Sequence, residues 1–408
     1  MRVTIDSLGA RGDGVAQGGE GPIYLPFTLP GDVVEIAADR PAGHSRFELV
    51  EPSPTRREPA CPHFGTCGGC DLQHANDELY RSFKHGLVVT ALQRGGIDAE
   101  VAPLVACAPH SRRRVTLTAV RVGNRMLLGY NAARSNVVVP ITACPITLPA
   151  IEAALPFLRR LAELLIDRKR PLKLLVTATT SGLDIAASDA ARLVEKTRQR
   201  AVALALEAGI ARLSVSGEIL VQARPPVVDF SGVAVELPPG AFLQAVGSVE
   251  AAMADLVLAH LAGAKRVADF FSGCGTFSLR LLRKSAVHAV ESEASALAAQ
   301  DRAQRATKGL KPLTTERRDL FRRPVPAKEL KRFDGIVFDP PRSGAEGLAR
   351  EIAASGVARV AAVSCNPTTL ARDLKILLDG GYRLSSITPL DQFLWSHHVE
   401  AVALLDRA

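Results

Sequence analysis

The 408-residue chain has no apolar run near the roughly 18 residues that a membrane helix needs, so a helical span is not expected. Its opening, Met1-Arg2-Val3-Thr4-Ile5-Asp6, lacks the apolar segment of a secretory signal, and the expectation is a cytoplasmic protein acting as a monomer. Internal repeats and low-complexity tracts are missing too. Acidic residues are the minority, 42 against 50 Lys and Arg, and the net charge of +8 favours an acidic partner such as nucleic acid. Cysteine is sparse and odd in number, with seven unevenly placed residues, which points to metal binding or catalysis before disulfides. With 47% hydrophobic residues a disordered chain is excluded, and the length suits two or three domains.

Residues 1 to about 50 carry short β-type runs, Val3–Ile5, Ile23–Leu25 and Val33–Ile36, separated by turn signals such as Gly12-Asp13-Gly14 and Pro30-Gly31-Asp32. That pattern predicts a small antiparallel barrel. Glu51–Pro59, with three prolines, reads as a linker. A helix is predicted over Asp77–Arg94, then strands over 114–121, 126–130, 136–139 and 172–178, with helices near 151–166 and 190–208. From about Ala241 the pattern becomes strand–turn–helix. Apolar runs 266–269, 287–291, 335–339 and 359–364 each end in a polar residue, the signature of a doubly wound parallel sheet. Ligands of such sheets bind beyond the carboxyl ends of the strands, where those polar residues lie.

The first of these runs opens into Asp269-Phe270-Phe271-Ser272-Gly273-Cys274-Gly275. Two glycines permit a tight turn close to a ligand, although Ser278 stands where a third glycine of a dinucleotide loop would be. Glu291 ends the next run and is placed to accept hydrogen bonds from ribose hydroxyls. Asp339-Pro340-Pro341-Arg342 makes a stiff turn at another strand end, and the arginine after the prolines argues against amino-group methylation, where an aromatic would stack on the base. Val363-Ser364-Cys365-Asn366-Pro367 places a thiol at a strand end beside a helix N-terminus, where backbone N–H groups are expected to stabilise a thiolate nucleophile. Glu400 precedes the apolar run Ala401–Leu405, so that its carboxyl can face a pocket as a base. Ser111-Arg112-Arg113-Arg114 either holds phosphates or is a solvated charge run. Cys61, Cys67 and Cys70, with the distant Cys144, supply four thiolates, and on spacing alone a structural zinc and an iron–sulfur cluster are equally served.

Together these residues resemble the bacterial class I RNA uracil-5-methyltransferases, above all the iron–sulfur-containing branch that acts on 23S rRNA. The loop Asp269–Gly275, the Asp339-Pro340-Pro341-Arg342 turn, Ser364-Cys365-Asn366 and His398-Val399-Glu400 carry the resemblance, which spans nearly the whole chain. It implies an α/β fold in three parts: a TRAM-like RNA-binding β-barrel at 1–52, an α+β domain at 56–235 holding a [4Fe-4S] cluster, and a Rossmann-like methyltransferase domain at 236–408. The helix near 77–96 is expected against the last of these. S-adenosyl-L-methionine would lie on Gln244, Phe271, Glu291 and Asp339. Cys365 would be the nucleophile and Glu400 the general base. Cys61, Cys67, Cys70 and Cys144 would hold the cluster, with zinc as the lesser alternative. Structured RNA is the implied partner, 23S rRNA before tRNA. The rival readings are a zinc-ribbon RNA-binding protein with an inactive methyltransferase-like half, or a base- or protein-N-methyltransferase.

Overall fold

The computed structural model of the chain describes residues 1–19, 21–37, 47–167 and 169–407. The last part is a seven-stranded sheet built from β1 (Arg266–Phe270), β2 (Ala286–Glu291), β3 (Leu313–Arg317), β4 (Gly335–Phe338), β5 (Arg359–Ser364), β6 (Tyr382–Leu390) and β7 (Glu400–Arg407). Its spatial order is β3-β2-β1-β4-β5-β7-β6, with β1 to β5 parallel and β7 antiparallel to both neighbours. Successive side chains face opposite sides. Val267, Val337, Ala361 and Val402 therefore enter one core with Val249, Met253 and Val257 of helix Gly247–His260. Ala268, Ile336, Val360 and Ala403 enter the other, with Leu348 and Ile352 of one helix and Leu370 and Leu374 of the next. Covering both faces is what lets these strands be apolar along their whole length. Helix Asp77–Arg94 buries Val88 and Leu92 in that second core, so a helix far upstream in the chain packs on the catalytic sheet.

The central part holds a second seven-stranded sheet, running in space from Glu218–Gln222 through Arg212–Val215, Gly182–Ser188, Leu172–Thr179, Arg114–Val122 and Arg125–Asn131 to Val138–Pro140. Three of these strands, between residues 182 and 222, are absent from the sequence-based expectation, since the Ala- and Ser-rich 182–188 hides its alternation. The helix expected near 151–166 is two, Pro149–Ala153 and Leu155–Leu165, because Pro156 has no N–H for a continuous ladder. The helix expected from 190 starts at Glu195, the preceding residues being held to the strand side by Ala191 N–H donating to Leu165 O, 2.8 Å.

Residues 1–51 form two three-stranded antiparallel sheets around Ile5, Ala16, Leu25, Val34 and Ile36. Among the described residues their ladders do not join into one closed barrel. The stretch expected as a linker is instead anchored. Buried Asp32 accepts from Leu29 N at 2.6 Å and Ser53 N at 2.8 Å, and pairs with the Arg56 guanidinium. Those donors hold its carboxyl below the ordinary range in spite of burial.

Candidate active site

Strand order reverses between β1 and β4, and a crevice opens there at the carboxyl ends of the strands, the place where doubly wound sheets take ligands. Asp269 is still within β1 and wholly buried, not at the strand end. One of its oxygens accepts both the Ser278 N–H, 2.8 Å, and the Ser278 hydroxyl, 2.5 Å. Burial raises its pKa to about 7 against those two donors. Ser278, in the place of a missing third glycine, thus ties the loop to the following helix. Between these anchors the chain turns through left-handed backbone at Phe271 (φ 60°), Gly273 (φ 53°) and Gly275 (φ 98°). A side chain at Gly275 would stand 2.7 Å from Leu279, so only glycine fits.

One cavity of about 760 Å³ is lined by Gln244, Phe271, Glu291, Asp339, Cys365 and Glu400 together. All six expected cofactor and catalytic positions meet there, although 156 residues of chain separate the first from the last. Phe271 packs against Phe321 with ring centroids 5.4 Å apart. Glu291 accepts the Gly273 N–H at 3.1 Å and so holds the glycine loop. The Gln244 amide donates to Asp339 Oδ2 at 2.9 Å. Burial pushes Asp339 and Glu400 well above the carboxylate range, and the charge of Asp339 pushes Glu400 further. The alternative of a surface carboxylate at the start of β7 is set aside, since Glu400 is 2% exposed.

Cys365 is half-buried directly after β5, and its surroundings oppose ionisation of the thiol. Burial, then the charges of Glu400 and Asp339, raise it to about 11, and Arg342 opposes them. At the following helix, Pro367 has no N–H to offer the thiol and the Thr368 N–H is taken by Asn366 Oδ1. Arg342 is itself held, donating to His398 Nδ1 at 2.7 Å, while its carbonyl accepts from the Asn366 amide at 2.8 Å. The basic run 111–114 is embedded and not a solvated face. Arg113 pairs with buried Glu250 at 2.7 Å and donates to Gln244 O, and Arg114 lies over Phe242.

Cys61, Cys67, Cys70 and Cys144 line a second cavity of about 400 Å³. Each of the first three has its thiol pKa raised by burial and by the negative charge of Cys144. A side chain at Gly68 would lie 2.7 Å from Ala133 N, so glycine is required where this loop crosses the strand Arg125–Asn131 and its following turn. Among the described residues no three His, Cys, Asp or Glu side chains converge as a shell for a metal ion. Phe393 lines both cavities, so the loop between β6 and β7 is their common wall.

Residues 184–408 match the tRNA (Uracil-5-)-methyltransferase family. The chain belongs to the RNA uracil-5-methyltransferase family. As such it is an S-adenosyl-L-methionine-dependent RNA methyltransferase, and its residues 1–55 match the TRAM domain of tRNA (uracil(54)-C(5))-methyltransferase. An uncharacterized RNA methyltransferase of Brucella suis is 54% identical, over 100% of this chain and 98% of the relative. The 23S rRNA (uracil(1939)-C(5))-methyltransferase of Pectobacterium atrosepticum is 33% identical over 99% of this chain and 93% of its own. The crystal structure of Pyrococcus abyssi tRNA (uracil-54, C5)-methyltransferase with S-adenosyl-L-homocysteine superposes with a TM-score of 0.77, covering 99% of each chain at 23% identity, a likeness of fold. No helix of the methyltransferase is long and apolar enough to cross a membrane, among the described residues. Sequence reasoning named Ser278, Arg342 and His398 as motif residues but gave them none of these contacts, and it missed Gln392, which also lines the large cavity.

Proposed function

We propose that the enzyme methylates C5 of one uridine in structured RNA, 23S rRNA, through a covalent bond between Cys365 and C6. The observation that carries this reading is the meeting of Cys365, Asp339 and Glu400 in the cavity bounded by the glycine loop and Glu291. The target base has to leave its stack to enter such a pocket. Gln244, Phe271, Glu291 and Asp339 would hold S-adenosyl-L-methionine, which when bound supplies C5 with its methyl group by breaking the sulfonium S–CH3 bond and leaves as S-adenosyl-L-homocysteine. Cys365 first forms its S–C6 bond, and the displaced π electrons make C5 enolate-like, which turns one hard step into easier ones. Glu400 then removes the C5 proton, those electrons restore the C5–C6 double bond, and the S–C6 bond breaks to release the thiolate. Burial and the neighbouring carboxyls of Glu400 and Asp339 oppose the thiolate, so the thiol proton has to leave before the S–C6 bond forms.

Preference for 23S rRNA rests on the relative of Pectobacterium atrosepticum; tRNA is the second reading, favoured by the family matched over 184–408. Mapping 5-methyluridine in both RNAs from a deletion strain decides between them. The covalent step is tested with Cys365→Ala, expected to lose methylation and every adduct, and with Glu400→Gln, expected to trap a methyl-labelled protein–RNA adduct on a denaturing gel. A Glu400→Gln enzyme that turns over at near wild-type rate without adduct removes Glu400 from this role.

We assign Cys61, Cys67, Cys70 and Cys144 to a [4Fe-4S] cluster, because all four cysteines, distant Cys144 included, line one cavity and four thiolates are the ligand set of such a cluster, with zinc as the lesser alternative. Protein prepared without oxygen should carry about four iron and four sulfide per chain; stoichiometric zinc without iron refutes it. We divide the chain into units at 1–52, 56–235 and 236–408, and place the enzyme in the cytoplasm as a monomer.

A further inference from the structure

Between β6 and β7 stands Gln392, 2% exposed, in the wall of the large cavity. Its Oε1 accepts the backbone N–H of Ala245 at 3.0 Å. A backbone N–H can meet only an acceptor, so this one contact fixes which way the amide points. The NH2 end must then face the other partners, and it does. It donates to Gln244 Oε1 at 2.7 Å and to Glu400 Oε2 at 2.6 Å. With its carbonyl used, Gln244 turns its own NH2 to Asp339 Oδ2. Two buried carboxylates thus end a chain of two amides whose polarity is set by Ala245. Glu400 Oε1 is buried and has no partner among the described residues.

We propose that Gln392 is the positioning residue of the base: it occupies Glu400 Oε2, leaves Oε1 alone to take the C5 proton, and by its donated N–H favours the carboxylate against the neutral acid that burial favours. The proposal rests on the reading of Glu400 as the base. Its chemistry is ordinary. A carboxylate taken out of water is favoured as a neutral acid, which cannot accept a proton, and an N–H donated to it opposes that tendency. A carboxyl or a hydrocarbon at position 392 cannot do the same.

The test is the pH dependence of kcat, which reports the base in the enzyme–substrate complex. Gln392→Met removes the donated N–H. The acidic limb should move up by roughly one to two pH units, the worth of one hydrogen bond to a charged group. The covalent protein–RNA adduct should accumulate above the wild-type level, because elimination slows while addition does not. The thermal unfolding midpoint and Trp395 fluorescence report that the fold is kept. Gln392→Glu retains the acceptor for Ala245 but sets a like charge beside Glu400, and should move the limb in the same direction. This second variant decides if the first does not fold. An acidic limb that stays in place, with no added adduct, overturns the proposal. Glu400→Gln separates the two readings: if it stalls as adduct while the Gln392 variants keep the wild-type limb, the positioning role alone is wrong, and if it turns over freely, the base itself is.

Discussion

Replacing Lys84 by Met tests how an upstream helix holds the catalytic wall. The Lys84 ammonium is fully buried and pairs with equally buried Asp391 at 2.9 Å. It also donates to the carbonyls of Phe393, at 3.1 Å, and His398, at either side of the loop that carries Trp395. Asp391 takes a further bond from the Tyr80 hydroxyl, and Tyr80 oxygen accepts the Trp395 N–H at 2.7 Å. Methionine fills much of the space but leaves Asp391 as a buried carboxylate without its cation, which costs about 3–5 kcal/mol. Trp395 is the sole tryptophan of the chain, so its fluorescence during urea unfolding reads this loop directly. Lys84→Met should lower the unfolding free energy by that amount, and adding Asp391→Asn should recover part of it, since the orphaned charge is then gone. A loss under about 1 kcal/mol, the range of an exposed pair, would refute the argument.

Glu291→Ala should raise the cofactor dissociation constant about tenfold by removing a charged hydrogen-bond acceptor, measured by calorimetry with S-adenosyl-L-homocysteine. RNA affinity should stay near wild type, and an equal loss of both would mean misfolding. Glu400 has its folded-state pKa raised by burial and by Asp339. Its carboxyl therefore stays protonated above the ordinary Glu range, and because the unfolded chain ionises first, this stabilisation is lost as pH rises from the ordinary value through the raised one, about 8. Glu400→Gln should thus gain thermal stability relative to wild type as pH rises from about 4.5 to about 8 and hold that gain above it; a difference independent of pH would contradict this.

Much of the site was legible in the sequence because its signals are local. Glu291, Asp339 and Cys365 each end or follow a short apolar strand, and strand ends of a parallel sheet lie on one edge whatever the loops do. The four cysteines expected together do line one cavity. What the tertiary structure decided involves residues far apart in sequence. The state of the Cys365 thiol depends on Glu400 and Asp339, brought beside it because β5 lies between β4 and β7. Gln392 reads in sequence as one polar residue among several, and becomes a hydrogen-bond bridge only where Ala245, 147 residues away, supplies its N–H. Lys84 reads as the solvated face of a helix until Asp391, 307 residues on, removes it from water. Periodicity and motif spacing carry information over a few residues, whereas burial and the pairing of charges are properties of the packed chain, and they set which carboxyl holds a proton and which amide points at it.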